Sequence, residues 1–179
     1  MEARTNARDT GKLLAHFLAS KTSPLFGDHT FSLVGFSLGS QVCKSAINRL
    51  MKLGKEKLVH NMYFMAGCTY MKREKSQEQK GTFISCVSGQ IYNMHTTNDK
   101  ALVLFETIYG QRSIGRNPHF QQDRHNVSST MSEADVITRS SGGSPEMWFK
   151  FENFDTTLIA NGHMDYRVKM DLILEQINF

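Results

Sequence analysis

The sequence is poor in cysteine. Its three cysteines, Cys43, Cys68 and Cys86, are odd in number and show neither a CxxC pair nor a Cys/His ligand spacing. These features argue against a disulfide framework and against a zinc site, and we expect no metal or other cofactor. Free thiols suit an intracellular, reducing compartment.

The sequence also lacks a long apolar segment. No apolar run approaches the roughly 18 residues of a membrane span. The N-terminal segment 1–12, MEARTNARDTGK, is too polar for a signal peptide. We therefore expect no transmembrane segment in this chain.

A nucleic-acid-binding signature is missing as well. The net charge of +4 and the pI of about 9.0 would permit a weak attraction to acidic surfaces. However, Lys and Arg are scattered along the chain, and the densest charge cluster, at 71–80, mixes both signs. We therefore expect no nucleic-acid partner.

The pattern of apolar residues predicts an α/β fold. The chain has 179 residues, of which 40% are hydrophobic, which suits one domain over 1–179. Strands are predicted at 30–36, 58–67, 90–99 and within the segment 146–159, EMWFKFENFDTTLI, with helices at 3–20, after Ser37 to about Gly54, at 100–109 and at the C-terminus. This alternation predicts a mostly parallel sheet of about four strands with flanking helices.

Two further features belong to this prediction. The first helix should carry an apolar face with Leu13, Leu14, Phe17 and Leu18. A stretch rich in Gly, Ser, Asn and Arg predicts a long irregular excursion at about 110–145.

The predicted first strand leads into G-x-S-x-G, with Gly35, Ser37 and Gly39 at the fixed positions. In a nucleophile elbow the serine sits on a strained strand-to-helix turn, and glycines remove side chains that would collide with the strand and helix. The N–H of Leu38 would then point to a developing oxyanion. The alternative interpretation is that Ser37 has no catalytic role and is only a small residue in a tight turn.

A nucleophilic serine needs a base and an orienting acid. Asp99 comes just after the strand sequence IYNMHTT, at the end of the third predicted strand, and His163 lies between the last strand and the last helix. They complete the order Ser, Asp, His of α/β-hydrolases. The alternatives are a helix N-cap for Asp99 and a surface histidine for His163. His95, inside a strand, is a poorer base, and Asp155 and Asp165 are reserve acids.

Three stretches, VGFSLGS, IYNMHTTNDKALVL and FENFDTTLIANGHMDYR, resemble the transmembrane and coiled-coil domain-containing protein four family of lipase-like α/β-hydrolases. The resemblance implies Ser37 as nucleophile, Asp99 as acid, His163 as base and Leu38 N–H as an oxyanion donor. It implies a lipid or acyl ester as substrate.

The resemblance covers only the C-terminal half of that fold. Members of the family carry membrane-associated helices and several strands ahead of the equivalent of residue 3, including the loop with the second oxyanion donor. We therefore expect a partial α/β-hydrolase fold in which strand 30–36 is an edge that a protein partner or a second copy covers. Two functions follow: a serine esterase or lipase, or a catalytically weak scaffold subunit of a larger assembly.

Overall fold

The computed structural model describes residues 2–20, 30–70, 85–117, 151–175 and 177. The mixed-charge segment 71–80 and most of the predicted excursion at 110–145 lie outside these residues. The helices are α1 (Glu2–Ala19), α2 (Gly39–Lys52), α3 (Lys100–Tyr109), α4 (Asp165–Val168) and α5 (Met170–Glu175). The strands are β1 (Phe31–Phe36), β2 (Val59–Met65), β3 (Ile91–His95) and β4 (Phe151–Asp155).

The four strands form one sheet in the order β1-β2-β3-β4, and every neighbouring pair is parallel. This confirms the predicted α/β class and the partly built, parallel sheet. Since all strands run the same way, the residues that follow them gather at one edge of the sheet, the carboxyl edge. Within the described residues β1 pairs only with β2, so it lies at a side of the sheet.

Helices cover both faces of the sheet, as the apolar strands require. Alternate residues of β2 point to opposite faces. Met62 and Phe64 belong to a cluster with α1 and α2, whereas Tyr63 and Met65 belong to a cluster with α3, α4 and α5. The two clusters together form the core that holds the carboxyl edge in place.

The first helix packs through only part of the predicted apolar face: Leu14 and Leu18 contact the core, but the prediction is wrong for Leu13 and Phe17. Its buried residues are Ala7, Gly11, Ala15 and Leu18, whereas Leu13 and Phe17 are 71% and 54% exposed. A side chain at Gly11 would collide with the main chain of α2. The close approach of α1 and α2 therefore selects small residues over large apolar ones.

The C-terminal helix differs from the prediction in that it is broken. A single amphipathic helix was expected, but α4 and α5 are separated at Lys169, where φ is −112° and ψ is 26°. The Lys169 ammonium donates a hydrogen bond to the Ile159 carbonyl at 2.7 Å. This contact ties the break to the loop that carries His163.

Candidate active site

Ser37 lies in the turn between β1 and α2 and has a left-handed backbone with φ of 52°. A non-glycine residue adopts this conformation only when its surroundings hold it there. The Ser37 N–H donates to the Met65 carbonyl at 2.9 Å, and the Ser37 carbonyl accepts from the Cys68 N–H at 3.0 Å. The end of β2 thus fixes the strained turn that presents the hydroxyl.

The two glycines that flank Ser37 differ in their surroundings. A Cβ at Gly35 would lie 2.8 Å from Ser40 Cα and 3.0 Å from Cys43 Sγ, much closer than carbon atoms normally pack. A Cβ at Gly39 would meet nothing within 4 Å. The predicted collision therefore exists at Gly35, and the prediction of a collision at Gly39 is wrong because that position faces open space.

A continuous hydrogen-bond chain joins three side chains from three different strand ends. His163 Nε2 lies 2.7 Å from Ser37 Oγ, and His163 Nδ1 lies 2.6 Å from Asp99 Oδ2. An ionised carboxylate only accepts, so Nδ1 carries the proton toward Asp99 and Nε2 is left to accept from the serine hydroxyl. In such a chain a hydroxyl can pass its proton to an imidazole that a carboxylate orients.

Asp99 makes both of the contacts that the two alternatives for it require. Its Oδ1 accepts from the Leu102 N–H at 3.0 Å and caps α3, while its Oδ2 contacts His163. The residue is fully buried. Burial of a carboxylate is costly unless its oxygens accept hydrogen bonds, and the cap supplies one that does not compete with the histidine.

The imidazole of His163 is partly shielded from solvent, with 16% of its side chain exposed. The ring of Phe36 lies 5.1 Å from it, centroid to centroid. The loop that carries it is held by Asp165, whose Oδ2 accepts from the Asn161 N–H at 2.9 Å. These contacts restrict the ring to the orientation in which it meets both partners.

Cys68 belongs to the site, although the sequence analysis did not place it there. Its Sγ lies 3.4 Å from Ser37 Oγ. Burial raises the pKa of this thiol, the bond to Ser37 partly opposes that rise, and the Asp99 charge adds to it. Cys68 is therefore a neutral neighbour of the serine. Its position, directly beyond the end of the strand after the elbow, was the available signal.

The main-chain N–H of Leu38 is the candidate oxyanion donor. It precedes the first residue of α2, where no helix carbonyl reaches it, and no acceptor binds it among the described residues. The nearby N–H of Cys68 already donates to the Ser37 carbonyl. It is therefore not free to serve as a second donor.

The sequence profile of the family described as "Protein of unknown function (DUF726)" matches residues 2–179, which is nearly the whole chain. The chain belongs to this family.

Two curated proteins are similar to this DUF726 chain. The "Uncharacterized membrane protein C6F6.13c" of Schizosaccharomyces pombe is 28% identical over 174 residues, which cover 97% of the chain and 18% of that protein. The "Probable lipase MIL1" of Saccharomyces cerevisiae is 27% identical over 172 residues, which cover 96% of the chain and 13% of that protein. The chain thus spans less than one fifth of either relative. No solved structure matches it significantly.

The reserve residues of the DUF726 chain have other contacts. His95 is buried at the end of β3, and burial lowers its pKa while the charge of Asp155 partly opposes this. Asp155 accepts from the Thr157 N–H at 2.9 Å, and its hydrogen bonds with Thr157 lower the pKa of the carboxyl. Asp155 is thus bonded to Thr157, whereas the carboxylate that contacts His163 is that of Asp99.

Metal binding, membrane-spanning helices and the state of the cysteines also bear on what the described residues can do. Among residues 2–20, 30–70, 85–117 and 151–175, no group of three His, Cys, Asp or Glu side chains is arranged to hold a metal ion. In the same part of the chain no helix is long and apolar enough to cross a membrane. All three cysteines are buried free thiols.

Proposed function

We propose that this DUF726 chain is a serine hydrolase domain of the esterase or lipase type. The observation that carries the proposal is the hydrogen-bond chain from Asp99 through His163 to Ser37, with both links at 2.7 Å or less. Ser37 is the nucleophile, His163 the general base and Asp99 the residue that fixes the imidazole tautomer.

The reaction follows from this geometry. Ser37 Oγ attacks the carbonyl carbon of an ester while its proton moves to His163 Nε2, and Leu38 N–H donates to the oxyanion that forms. Collapse of this intermediate breaks the ester C–O bond, and the leaving alkoxide takes the proton from His163. Water then attacks the acyl-serine by the same route and releases the acid.

An acyl ester of lipid type is the proposed substrate class. One relative is named a probable lipase, and the motifs around Ser37, Asp99 and His163 resemble the lipase-like transmembrane and coiled-coil domain-containing protein four family. Both points support the lipid proposal. They also support the assignment to that narrower family.

A fluorophosphonate probe tests the serine mechanism directly, since it reacts only with an activated serine. The wild-type chain should be labelled and Ser37→Ala should not. Ser88→Ala is the matched control because Ser88 precedes β3 at the opposite edge of the sheet. Labelling that survives Ser37→Ala, or no labelling of the folded wild type, contradicts the proposed mechanism.

A catalytically weak scaffold is the second candidate function. It is favoured by the oxyanion site, where the Leu38 N–H is available but the Cys68 N–H is engaged. Loss of one oxyanion donor costs roughly 100-fold to 1,000-fold in rate. The isolated chain should therefore hydrolyse short p-nitrophenyl esters very slowly, with any signal lost in Ser37→Ala. Brisk hydrolysis by the isolated chain would overturn the scaffold proposal.

Among the described residues no strand pairs with the side of β1 opposite to β2, and this supports an assembly role. The N–H of Ser37 points to β2. Successive residues of a strand direct their main-chain N–H and C=O groups to opposite sides, so those of Val34 and Phe36 point away from β2. Val34 is also 49% exposed. We propose that another polypeptide, or a second copy of the chain, pairs with this edge, because exposed apolar edges aggregate.

Light scattering after size exclusion tests the edge proposal. Dimerisation, aggregation or co-purification in a large complex is expected. A monodisperse monomer that melts cooperatively at micromolar concentration would refute it.

A further inference from the structure

Among the described residues, a buried lysine outside the triad has no acidic partner. Lys44, on α2, is only 8% exposed, and its ammonium donates a hydrogen bond to the Tyr70 carbonyl. Its pKa is lowered to about 8, chiefly by burial and in addition by the charges of Arg4 and Arg8 on α1. A cation at this position is costly unless a negative group compensates for it.

The guanidinium of Arg4 lies above the same loop. Its Cζ is 4.3 Å from the centroid of the Tyr70 ring and 5.1 Å from that of Tyr109, and Lys44 Nζ is 5.2 Å from the Tyr70 ring. Arg4 Nε is buried and has no hydrogen-bond acceptor among the described residues. The aromatic rings orient Arg4, but they leave this donor unused.

Arg8 completes the group, which we term the cation cluster: Arg4, Arg8 and Lys44. Arg8 lies one turn after Arg4 and is exposed, and its carbonyl accepts from Ser45 Oγ at 2.7 Å. Within the described residues no carboxylate lies within 4.0 Å of any of the three cations. Two helices thus bring three positively charged residues to one region of the protein, and no described carboxylate is within salt-bridge distance of them.

We propose that the cation cluster binds an anionic phosphate group. A phosphate offers up to two negative charges and several acceptor oxygens, which match one ammonium and two guanidinium groups better than a single carboxylate does. Such a group would satisfy Arg4 Nε and the remaining N–H donors of Lys44. The site belongs to the α1–α2 face of the sheet, and the proposal does not depend on the hydrolase function.

Two sources carry this chemistry, a phospholipid headgroup and a soluble phosphate ester. The first experiment uses inorganic phosphate as the probe, titrated by calorimetry into the whole chain at constant ionic strength. Saturable binding is expected for the wild type. Lys44→Met and Arg8→Gln should each weaken it roughly 10-fold to 100-fold, the effect of losing one charged hydrogen bond.

Lys12→Met is the matched control, because Lys12 lies on the same helix but is exposed and paired with Asp9 at 2.7 Å. It should bind phosphate as the wild type does. Arg8→Gln guards against misfolding, since Arg8 is exposed and its hydrogen bond with Ser45 uses the main-chain carbonyl. Absence of phosphate binding by the wild type, or equal binding by Lys44→Met and Arg8→Gln, overturns the proposal.

Vesicle flotation distinguishes the two sources. Vesicles of phosphatidylcholine with phosphatidic acid should retain the wild type, and Arg8→Gln should reduce this retention, if the group is a lipid headgroup. If inorganic phosphate binds but these vesicles do not, the ligand is a soluble phosphate ester. Both results support the site. The proposed phosphate site is contradicted if inorganic phosphate does not bind and the vesicles retain Lys12→Met and Arg8→Gln equally.

Discussion

The substitution Gly35→Ala should destabilise the protein because the new methyl group has no room. Its Cβ would lie 2.8 Å from Ser40 Cα and 2.9 Å from Ser40 N, whereas carbon contacts are normally about 3.5–4.0 Å. The shortfall is thus at least about 0.5 Å. The opposing atoms belong to the main chain and cannot rotate away, so β1 and α2 must separate.

Overpacking of this kind costs roughly 1–3 kcal/mol. With a urea m-value of about 2 kcal/mol/M, the unfolding midpoint should fall by roughly 0.5–1.5 M. Gly39→Ala is the matched control, since its Cβ would meet nothing within 4 Å and alanine favours the helix that begins there. Its midpoint should be unchanged or higher.

Urea unfolding of the whole chain, followed by circular dichroism at one protein concentration, provides the measurement. The probe-labelling rate should also fall in Gly35→Ala, because separation of β1 from α2 displaces Ser37. Equal midpoints for wild type and Gly35→Ala would refute the steric argument. A loss in Gly39→Ala as large as that in Gly35→Ala would refute it too, since the two positions differ in space.

Asp99→Asn should keep the cap on α3, because Asn caps helices about as well as Asp, yet reduce probe labelling by up to about 10⁴-fold through the wrong His163 tautomer. Asp99→Ala should lose both the labelling and about 1 kcal/mol of stability, and normal labelling of Asp99→Asn would exclude the acid role. The pKa of Lys44 is lowered from 10.5 in the unfolded state to about 8 in the folded state. Between these pH values the unfolded state therefore binds more protons than the folded state. The stability of the wild type relative to Lys44→Met should thus rise as the pH increases from about 8 to 10.5. The buried Cys43 thiol, whose pKa burial raises to about 12, acts in the opposite direction but equally in both proteins. Unfolding midpoints at pH 7.5 and 10 measure the difference, and a pH-independent gap between the two proteins would contradict the buried charge.

The sequence by itself determined the α/β class and the approximate positions of the four described strands, although the third ends at His95 and not at Asp99. Apolar runs near Val34, Met62 and Met94, separated by helical spacing, require a sheet covered on both faces, and this requirement is local enough to be read along the chain. The same reasoning predicted that Ser37, Asp99 and His163 follow different strands. Since parallel strands end at one edge, their proximity could be anticipated, and their catalytic roles remain a proposal.

Only the tertiary structure decided how each side chain is used. Sequence spacing could not tell that Gly11 faces α2 while Leu13 faces solvent, because the choice depends on the distance between two helices. It could not tell that a side chain has no room at Gly35 but has room at Gly39. Nor could it reveal that the two oxygens of the Asp99 carboxylate bond to α3 and to His163. It also could not bring Arg4 and Lys44, forty residues apart, to one tyrosine ring. These facts depend on distances between elements that are remote in the chain. The periodicity of apolar residues specifies which face of an element is buried, but it does not specify which element packs against that face.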